Sequence, residues 1–334
     1  MANTPPGRGR TGLNRLKPMI ERSQFAGVIA ALLLPRDDQG CPEWEAFERN
    51  ARFVLDVGAA GLCVNGATGE FAGACPAERR EAVVRARKVS GSALVVSGIG
   101  GTRWTEILEL GREAEGAGAD ALLVPTPYFF SYAPEDLAEF YRRLAAEFSI
   151  PVLIYNLPAF TGGLEAALAF QLIRELPGIA GVKDSSGQLD LLELLTITPS
   201  GQALRLVGND TVLAEALTRG LCDGTISGVA GVLPELTVAL WKSAAGADAA
   251  LFNRLACRLE TLIEELDEFP TPWGLKLIAE LRGLGPASIG MPLSPERQRE
   301  AAQFAEWFPR WWKDADADLA KALNAPVGLC QSVA

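Results

Sequence analysis

The 334-residue chain contains no histidine at all. That absence removes the Ser-His-Asp triad, the Cys-His pair and every imidazole-rich zinc site. It also counts against a metal-dependent aldolase built on imidazole ligands. The six cysteines, Cys41, Cys63, Cys75, Cys222, Cys257 and Cys330, show no CxxC pairing and no ladder of spacings. Reduced thiols in a cytoplasmic protein are therefore expected rather than a disulfide framework. No apolar run approaches the roughly 20 residues of a membrane span. The basic, Pro- and Gly-rich start MANTPPGRGRTGLNRLKP lacks the apolar core of a secretory signal. No Asp/Glu grouping has the spacing of a metal-binding loop, so no metal is expected. Basic charge is scarce as well: 31 Lys+Arg against 41 Asp+Glu leave a net charge of −10, which argues against nucleic acid as a partner. What remains for chemistry is Lys, Tyr, Asp/Glu, Ser/Thr, Cys, backbone amides and water.

Apolar residues are plentiful, at 49% of the chain, enough for a large core, and their pattern sets the architecture. Strand-like runs occur at GVIAALLLP (27–35), GLCVNG (61–66), ALVVSGIG (93–100), ALLVPTP (121–127), PVLIYNLP (151–158), IAGVKDSS (179–186), LRLVGND (204–210) and DGTISGVA (223–230). Between them lie stretches such as EWEAFERNARFVLDVG and PEDLAEFYRRLAAEF, with apolar residues at helical spacing. Near-continuous apolar runs fit parallel strands covered on both faces. Eight β-then-α units over ~200–250 residues predict an α/β fold, a (β/α)8 TIM barrel. A doubly wound open sheet is the competitor, but LLLPRDDQG after the first strand is not a Gly-rich phosphate turn. The spacing predicts a loose arm over 1–22, the barrel over 23–246, a C-terminal helical appendage over 247–316 and a tail over 317–334.

On such a barrel, functional groups sit at the C-terminal ends of strands and in the loops that follow. Lys183 occupies such an end, in IAGVKDSSG, and Tyr155 occupies another, in LIYNLP. Burial disfavours an ammonium ion, so an amine in an apolar barrel can serve as a nucleophile. It can attack a 2-oxo acid and form an iminium, an electron sink for making or cleaving a C–C bond. Without histidine, the Tyr155 phenol is the candidate proton donor and acceptor. The competing reading is a structural ion pair of Lys183 with Asp184 or with a loop carboxylate. Three other features take bland readings: the aromatic run EWFPRWWKD (306–314) as helix packing or a subunit contact, Cys63 as a small buried hydrophobe, and ERREAVVRARK (78–88) as a solvated helix face.

Several segments in order are similar to the dihydrodipicolinate synthase / N-acetylneuraminate lyase family of pyruvate-dependent class I aldolases, over about residues 24–310. NGATGE (65–70) resembles the family's G-[ST]-T-G-E loop, YNLPAFTG (155–162) its Y-N-x-P-x-x-T/S-G segment, and GVKDSSG (181–187) its lysine strand; EFPTPWGLKLIAELRGLG and PLSPE resemble its C-terminal helices. The resemblance implies a homo-oligomer, dimer or tetramer, with no cofactor beyond a covalent Schiff base through Lys183, and Tyr155 as the proton-transferring phenol. It implies that Thr68 and the amides around Ala67 grip the carboxylate of a small-molecule 2-oxo acid, and that Ile226 borders the pocket. Gly208 and Asp210 correspond to positions that contact substrate hydroxyls in sugar-acid lyases.

Three positions depart from the family. Ala67 replaces the first loop hydroxyl, and Phe129 in PYFF replaces a tyrosine that reaches a neighbouring subunit's site. Phe160 replaces the arginine with which dihydrodipicolinate synthases hold a semialdehyde's carboxylate. Tyr128 or a water is left to stand in for the missing relay hydroxyls. LPAFTG looks more like the 2-keto-3-deoxy sugar-acid aldolases. The expected activity is therefore a Schiff-base lyase acting on a 2-keto-3-deoxy sugar acid with pyruvate as donor or product. A dihydrodipicolinate synthase, a Schiff-base dehydratase and a non-catalytic 2-oxo-acid-binding relative are the alternatives. Neither a membrane nor a nucleic acid is an expected partner.

Overall fold

A computed structural model describes residues 22–197 and 203–324. The expected arm over 1–22 lies outside the described residues except for Arg22, which opens a short 3-10 turn ending at Phe25. Eight parallel strands follow: β1 Gly27–Ala31, β2 Gly61–Val64, β3 Leu94–Gly98, β4 Ala121–Pro125, β5 Val152–Asn156, β6 Ile179–Asp184, β7 Leu204–Val207 and β8 Gly224–Ser227. They close in chain order, with β1 pairing both β2 and β8. Closure excludes the doubly wound alternative and leaves no sheet edge to protect.

The helices between them are α1 Trp44–Val57, α2 Pro76–Ser90, α3 Trp104–Gly116, α4 Pro134–Leu144, α5 Ala166–Glu175, α6 Asp190–Thr196, α7 Leu213–Thr218 and α8 Pro234–Ala244. Proline opens α2, α4 and α8, where its missing N–H costs no hydrogen bond and its fixed φ suits the first turn. Two apolar layers result. Alternate strand residues such as Val28, Leu62, Val95 and Val182 pack outward against the helices. The other set, including Ile29, Cys63, Val96, Leu153 and Leu206, fills the barrel interior. Cys63 is 1% exposed in that inner layer, a small hydrophobe as its sequence context suggests.

Four further helices extend the barrel: α9 Ala249–Asp267, α10 Trp273–Leu281, α11 Pro295–Lys313 and α12 Asp316–Leu323. The last is a correction, because residues 317–334 read as a tail. Ala315, Leu319 and Ala320 are buried, so packing forms a helix where eight residues alone would not hold one. The remainder, 325–334, lies outside the described residues. In the aromatic run, Phe308 and Trp312 are buried and stack with centroids 6.3 Å apart, which makes it a packing element. Among the described residues no helix is long and apolar enough to cross a membrane.

A buried ion pair helps to tie the appendage to the barrel. Arg282, just after α10, donates through Nη2 to Glu235 Oε1 at 2.6 Å and through Nη1 to Glu235 Oε2 at 3.0 Å. Nη1 also donates to the Val232 carbonyl at 2.6 Å, and both side chains are 3% exposed. Removing one partner strands the other charge in a dry site, which costs about 3–5 kcal/mol. Glu235→Ala should therefore lower unfolding free energy by about that amount in urea titrations. A loss below about 1 kcal/mol, the level of an exposed pair, would show that water reaches this pair.

Candidate active site

Parallel register sets Tyr155 of β5 beside Lys183 of β6. Alternation of side chains turns Tyr155 into the barrel interior, with Lys183 beside it. Lys183 Nζ donates to Tyr155 Oη at 3.1 Å and lies 4.2 Å from the ring centroid. The two residues are 4% and 3% exposed. The Lys183–Asp184 ion pair weighed from sequence does not form, and among the described residues no carboxylate pairs with Lys183. Asp184 points to the other face, where its Oδ1 accepts from Asn156 Nδ2 at 3.2 Å and from the Ser186 amide at 2.8 Å. Burial pushes the Asp184 carboxyl above the usual range. Asn156 Oδ1 in turn accepts from the Leu164 amide at 3.0 Å. The inward pair Tyr155/Lys183 thus sits on an outward pair that anchors the loops after both strands. Below them, burial pushes the Cys63 thiol up to about 11, against the opposing charge of Lys183, so Cys63 stays a neutral thiol.

Space for the lysine comes from Gly208. A Cβ there would stand 2.6 Å from Lys183 Cε and closer still to Ser185 Oγ. Just beyond, Asp210 Oδ2 accepts from Ser227 Oγ at 2.9 Å and from the Val229 amide at 3.4 Å. Burial raises the Asp210 carboxyl, while those donors and the Lys183 charge pull the other way. Its Oδ1 and Ser185 Oγ are buried with no hydrogen-bond partner. Orphaned buried polar atoms are rare in folded proteins and cost about 1–3 kcal/mol each, so two of them on one cavity favour a polar ligand.

The turn Asn65–Glu70 delivers Ala67 and Thr68 to the same cavity. Asn65 and Glu70 both take positive φ, 58° and 51°, the left-handed conformation that costs non-glycine residues energy. Asn65 Nδ2 donates to the Arg79 carbonyl at 2.9 Å. Arg79 donates to the carbonyls of Gly100 at 2.8 Å and Gly98 at 3.1 Å. Here the solvated-face reading of 78–88 needs correction. Arg79 is 4% exposed, and burial pushes its guanidinium down to about 10. It turns inward because the β3 loop carbonyls need a donor and the Phe71 ring, 5.4 Å away, offers its face. Gly228 packs over the turn, with Thr68 Oγ1 3.1 Å from where its Cβ would lie.

A cavity of about 300 Å³ brings together seven of the nine sequence-expected residues, Ala67, Thr68, Tyr155, Phe160, Lys183, Gly208 and Asp210. It leaves out Ile226, which is fully buried beside Ile29 in the inner layer. It also leaves out Tyr128, whose ring meets Phe71 edge-on at 5.8 Å and whose phenol is pushed up by burial. Phe129 is 88% exposed with φ of 77°. Ser185 and Asn209 lie in strand-end segments that the sequence marks, 183–186 and 208–210, without a role of their own. The wall formed by Ile263, Leu266, Phe269 and Leu275 was missed. Ser185 stood in plain view in KDSSG, whereas the wall comes from α9 and α10, with no local motif to announce it. Among the lining residues Lys183 is the sole base; Asp210 and Asp267 are the acids. No group of three or more Cys, Asp or Glu that could hold a metal occurs among the described residues.

A profile of the Dihydrodipicolinate synthetase family matches residues 24–308. The 4-hydroxy-tetrahydrodipicolinate synthase of Methanopyrus kandleri is 32% identical over 279 residues, covering 82% of this chain and 92% of its own. Among solved structures, YagE from E. coli K12, a prophage protein of the dihydrodipicolinic acid synthase family in complex with pyruvate, superposes with a TM-score of 0.79. Its identity is 27%, covering 86% of this chain and 98% of its own. The dihydrodipicolinate synthase of Thermotoga maritima superposes with a TM-score of 0.78 at 25% identity, covering 90% and 99%.

The close approach at Gly208 can be tested without any substrate. Gly208→Ala should displace Lys183 from Tyr155 and slow reductive methylation of Lys183, relative to surface lysines, by about tenfold, the scale of a misplaced reactive group. An unchanged rate, read by peptide mass, would show that the stem of Lys183 has room to spare.

Proposed function

Because the chain belongs to the dihydrodipicolinate synthetase family of carbon–carbon lyases, we propose that it forms a Schiff base between Lys183 and a 2-oxo acid. The carrying observation is the buried contact of Lys183 Nζ with Tyr155 Oη at 3.1 Å, in a cavity lined by no other lysine or arginine among the described residues. The Lys183 amine, once it has given up a proton, attacks C2 of the 2-oxo acid and a carbinolamine forms. Loss of water, with protons exchanged through Tyr155, leaves an iminium. In the cleavage direction the Tyr155 oxygen, having given up its proton, takes that of the C4 hydroxyl and the C3–C4 bond breaks. Its electron pair enters the iminium to give an enamine, and an aldehyde departs. Protonation at C3 and hydrolysis then release pyruvate and the free lysine. Tyr155 is the phenol within hydrogen-bond reach of the amine; no further cofactor is required by these steps.

The preferred substrate is a 2-keto-3-deoxy sugar acid. Such a molecule carries one carboxylate, which the amides around Ala67 and Thr68 would take, since fixed N–H groups meet an anion without added charge. The unpartnered Asp210 Oδ1 and Ser185 Oγ suit hydroxyls along the chain. A semialdehyde with a second carboxylate would instead meet Phe160, Asp210 and Asp267. The name of the Methanopyrus relative favours 4-hydroxy-tetrahydrodipicolinate synthase as the second reading, but this cavity offers that second anion no cation. Phe129 and Phe130, 88% and 64% exposed, support assembly into a homo-oligomer. The five described cysteines are free, which supports a cytoplasmic setting.

Tyr155→Phe should cut turnover by about 10²–10⁴-fold with the fold intact, the worth of a positioned proton-transfer group; near-native turnover would move that role to water. Charge-assisted pairs are worth about 1.5–3 kcal/mol, or roughly tenfold to over a hundredfold. The wild-type protein should therefore cleave a 2-keto-3-deoxy sugar acid well and condense pyruvate with aspartate semialdehyde poorly. Efficient condensation at micromolar semialdehyde would overturn this substrate assignment.

A further inference from the structure

Lys276 is a lysine buried to 3% exposure, yet it does not line the cavity. It stands on α10, one residue beyond Leu275, which does line it. Lys276 Nζ lies 2.5 Å from Glu70 Oε2 and donates to the Ser288 carbonyl at 2.7 Å. Ser288 Oγ in turn donates to the Asp37 carbonyl at 3.1 Å, in the loop after β1. Glu70 is the last residue of the turn that bears Ala67 and Thr68, and its amide donates to the Ala67 carbonyl at 2.9 Å. The neighbouring cation, Arg36, is engaged in a bidentate pair with Glu78 at 2.9 and 3.0 Å. Lys276 is therefore the ion-pair partner of Glu70.

A turn with left-handed residues at both ends persists only where its surroundings over-determine it. The Asn65 end has such support from Arg79 and from the close approach of Gly98, where any Cβ would collide with the Asn65 carbonyl. At the Glu70 end, the corresponding tie is the ion pair to Lys276. The same helix presses Leu275 toward Gly228, 3.2 Å from where a Cβ would lie, beside Thr68. From this we infer that Lys276 is a positioning residue for 2-oxo acid binding. Its pair with Glu70 holds the Ala67–Thr68 amides in the orientation that receives the substrate carboxylate, so that α10 takes part in recognition without touching the reacting atoms.

The inference rests on the cavity being a 2-oxo acid site, and the test separates the two. Pyruvate affinity is measured by titration calorimetry, alongside saturated turnover and the melting temperature, for wild type, Lys276→Met, Glu70→Gln and the double variant. Lys276→Met should weaken pyruvate binding by about tenfold or more, the scale of a misoriented binding group. Saturated turnover should stay within about threefold, since the chemistry at Lys183 is untouched. Glu70→Gln should act in the same direction, and the double variant should bind no more weakly than the worse single one, because the partners act as a unit. Lys276→Arg, which keeps a cation, should recover most of the affinity. Should Lys276→Met fail to fold, the near-isosteric Glu70→Gln reads the same pair. Pyruvate affinity within about twofold of wild type in folded variants, with only the melting temperature lowered, would make the pair a structural tie and overturn the inference. Absence of any pyruvate binding by the wild type would overturn the 2-oxo acid site and the inference with it.

Discussion

A lysine amine held against a tyrosine phenol inside an apolar barrel is the constraint around which the structure is arranged. Burying an amine there costs free energy, and among the described residues no carboxylate forms a direct ion pair with it, Asp210 acting only at longer range. The compensations are local: the hydrogen bond to Tyr155, the ring face beneath Nζ, and a gap at Gly208 that leaves the lysine stem room. Parallel pairing of β5 and β6 supplies the rest by setting the two residues in register. The next register pair, Asn156 and Asp184, carries the hydrogen bonds that fix the flanking loops on the opposite face. One strand pairing thus positions both the Tyr155–Lys183 pair and its support.

Much of this was legible in the chain before any coordinates. Apolar runs of strand length alternating with helical periodicity specify a parallel sheet covered on both faces, and eight such units with no Gly-rich phosphate turn favour closure into a barrel. The strand-end position of Lys183 then points to the cavity. Legibility fails where distant segments meet. Nothing local in EFPTPWGLK announces that Leu275 walls the cavity while Lys276 reaches Glu70. Arg79 reads as one charge among many on a solvated helix, and only the unsatisfied carbonyls of the β3 loop turn it inward. The helix at 316–323 was hidden for the same reason, since burial of Leu319 and Ala320 holds it.

The departures from the family pattern act together. By the family resemblance, Ala67 and Phe129 stand where relay hydroxyls are expected, and Tyr155 is the phenol beside the amine. Tyr128 is turned toward Phe71 and away from the cavity. By the same resemblance, Phe160 stands where an arginine is expected, in a cavity also lined by Asp210 and Asp267. On the proposed reading, a site with one lysine, two acids and two orphaned polar atoms suits a ligand with one carboxylate and several hydroxyls. On that reading, specificity comes as much from what a second anion would be denied as from what a hydroxyl would be given.

The central claim is that Lys183 forms a covalent iminium with a 2-oxo acid, and borohydride reduction in the presence of pyruvate tests it most directly. The account predicts one pyruvyl-derived mass per chain, located on Lys183 by peptide mapping and lost in Lys183→Met. A label on any other lysine, or no label at saturating pyruvate, would contradict it.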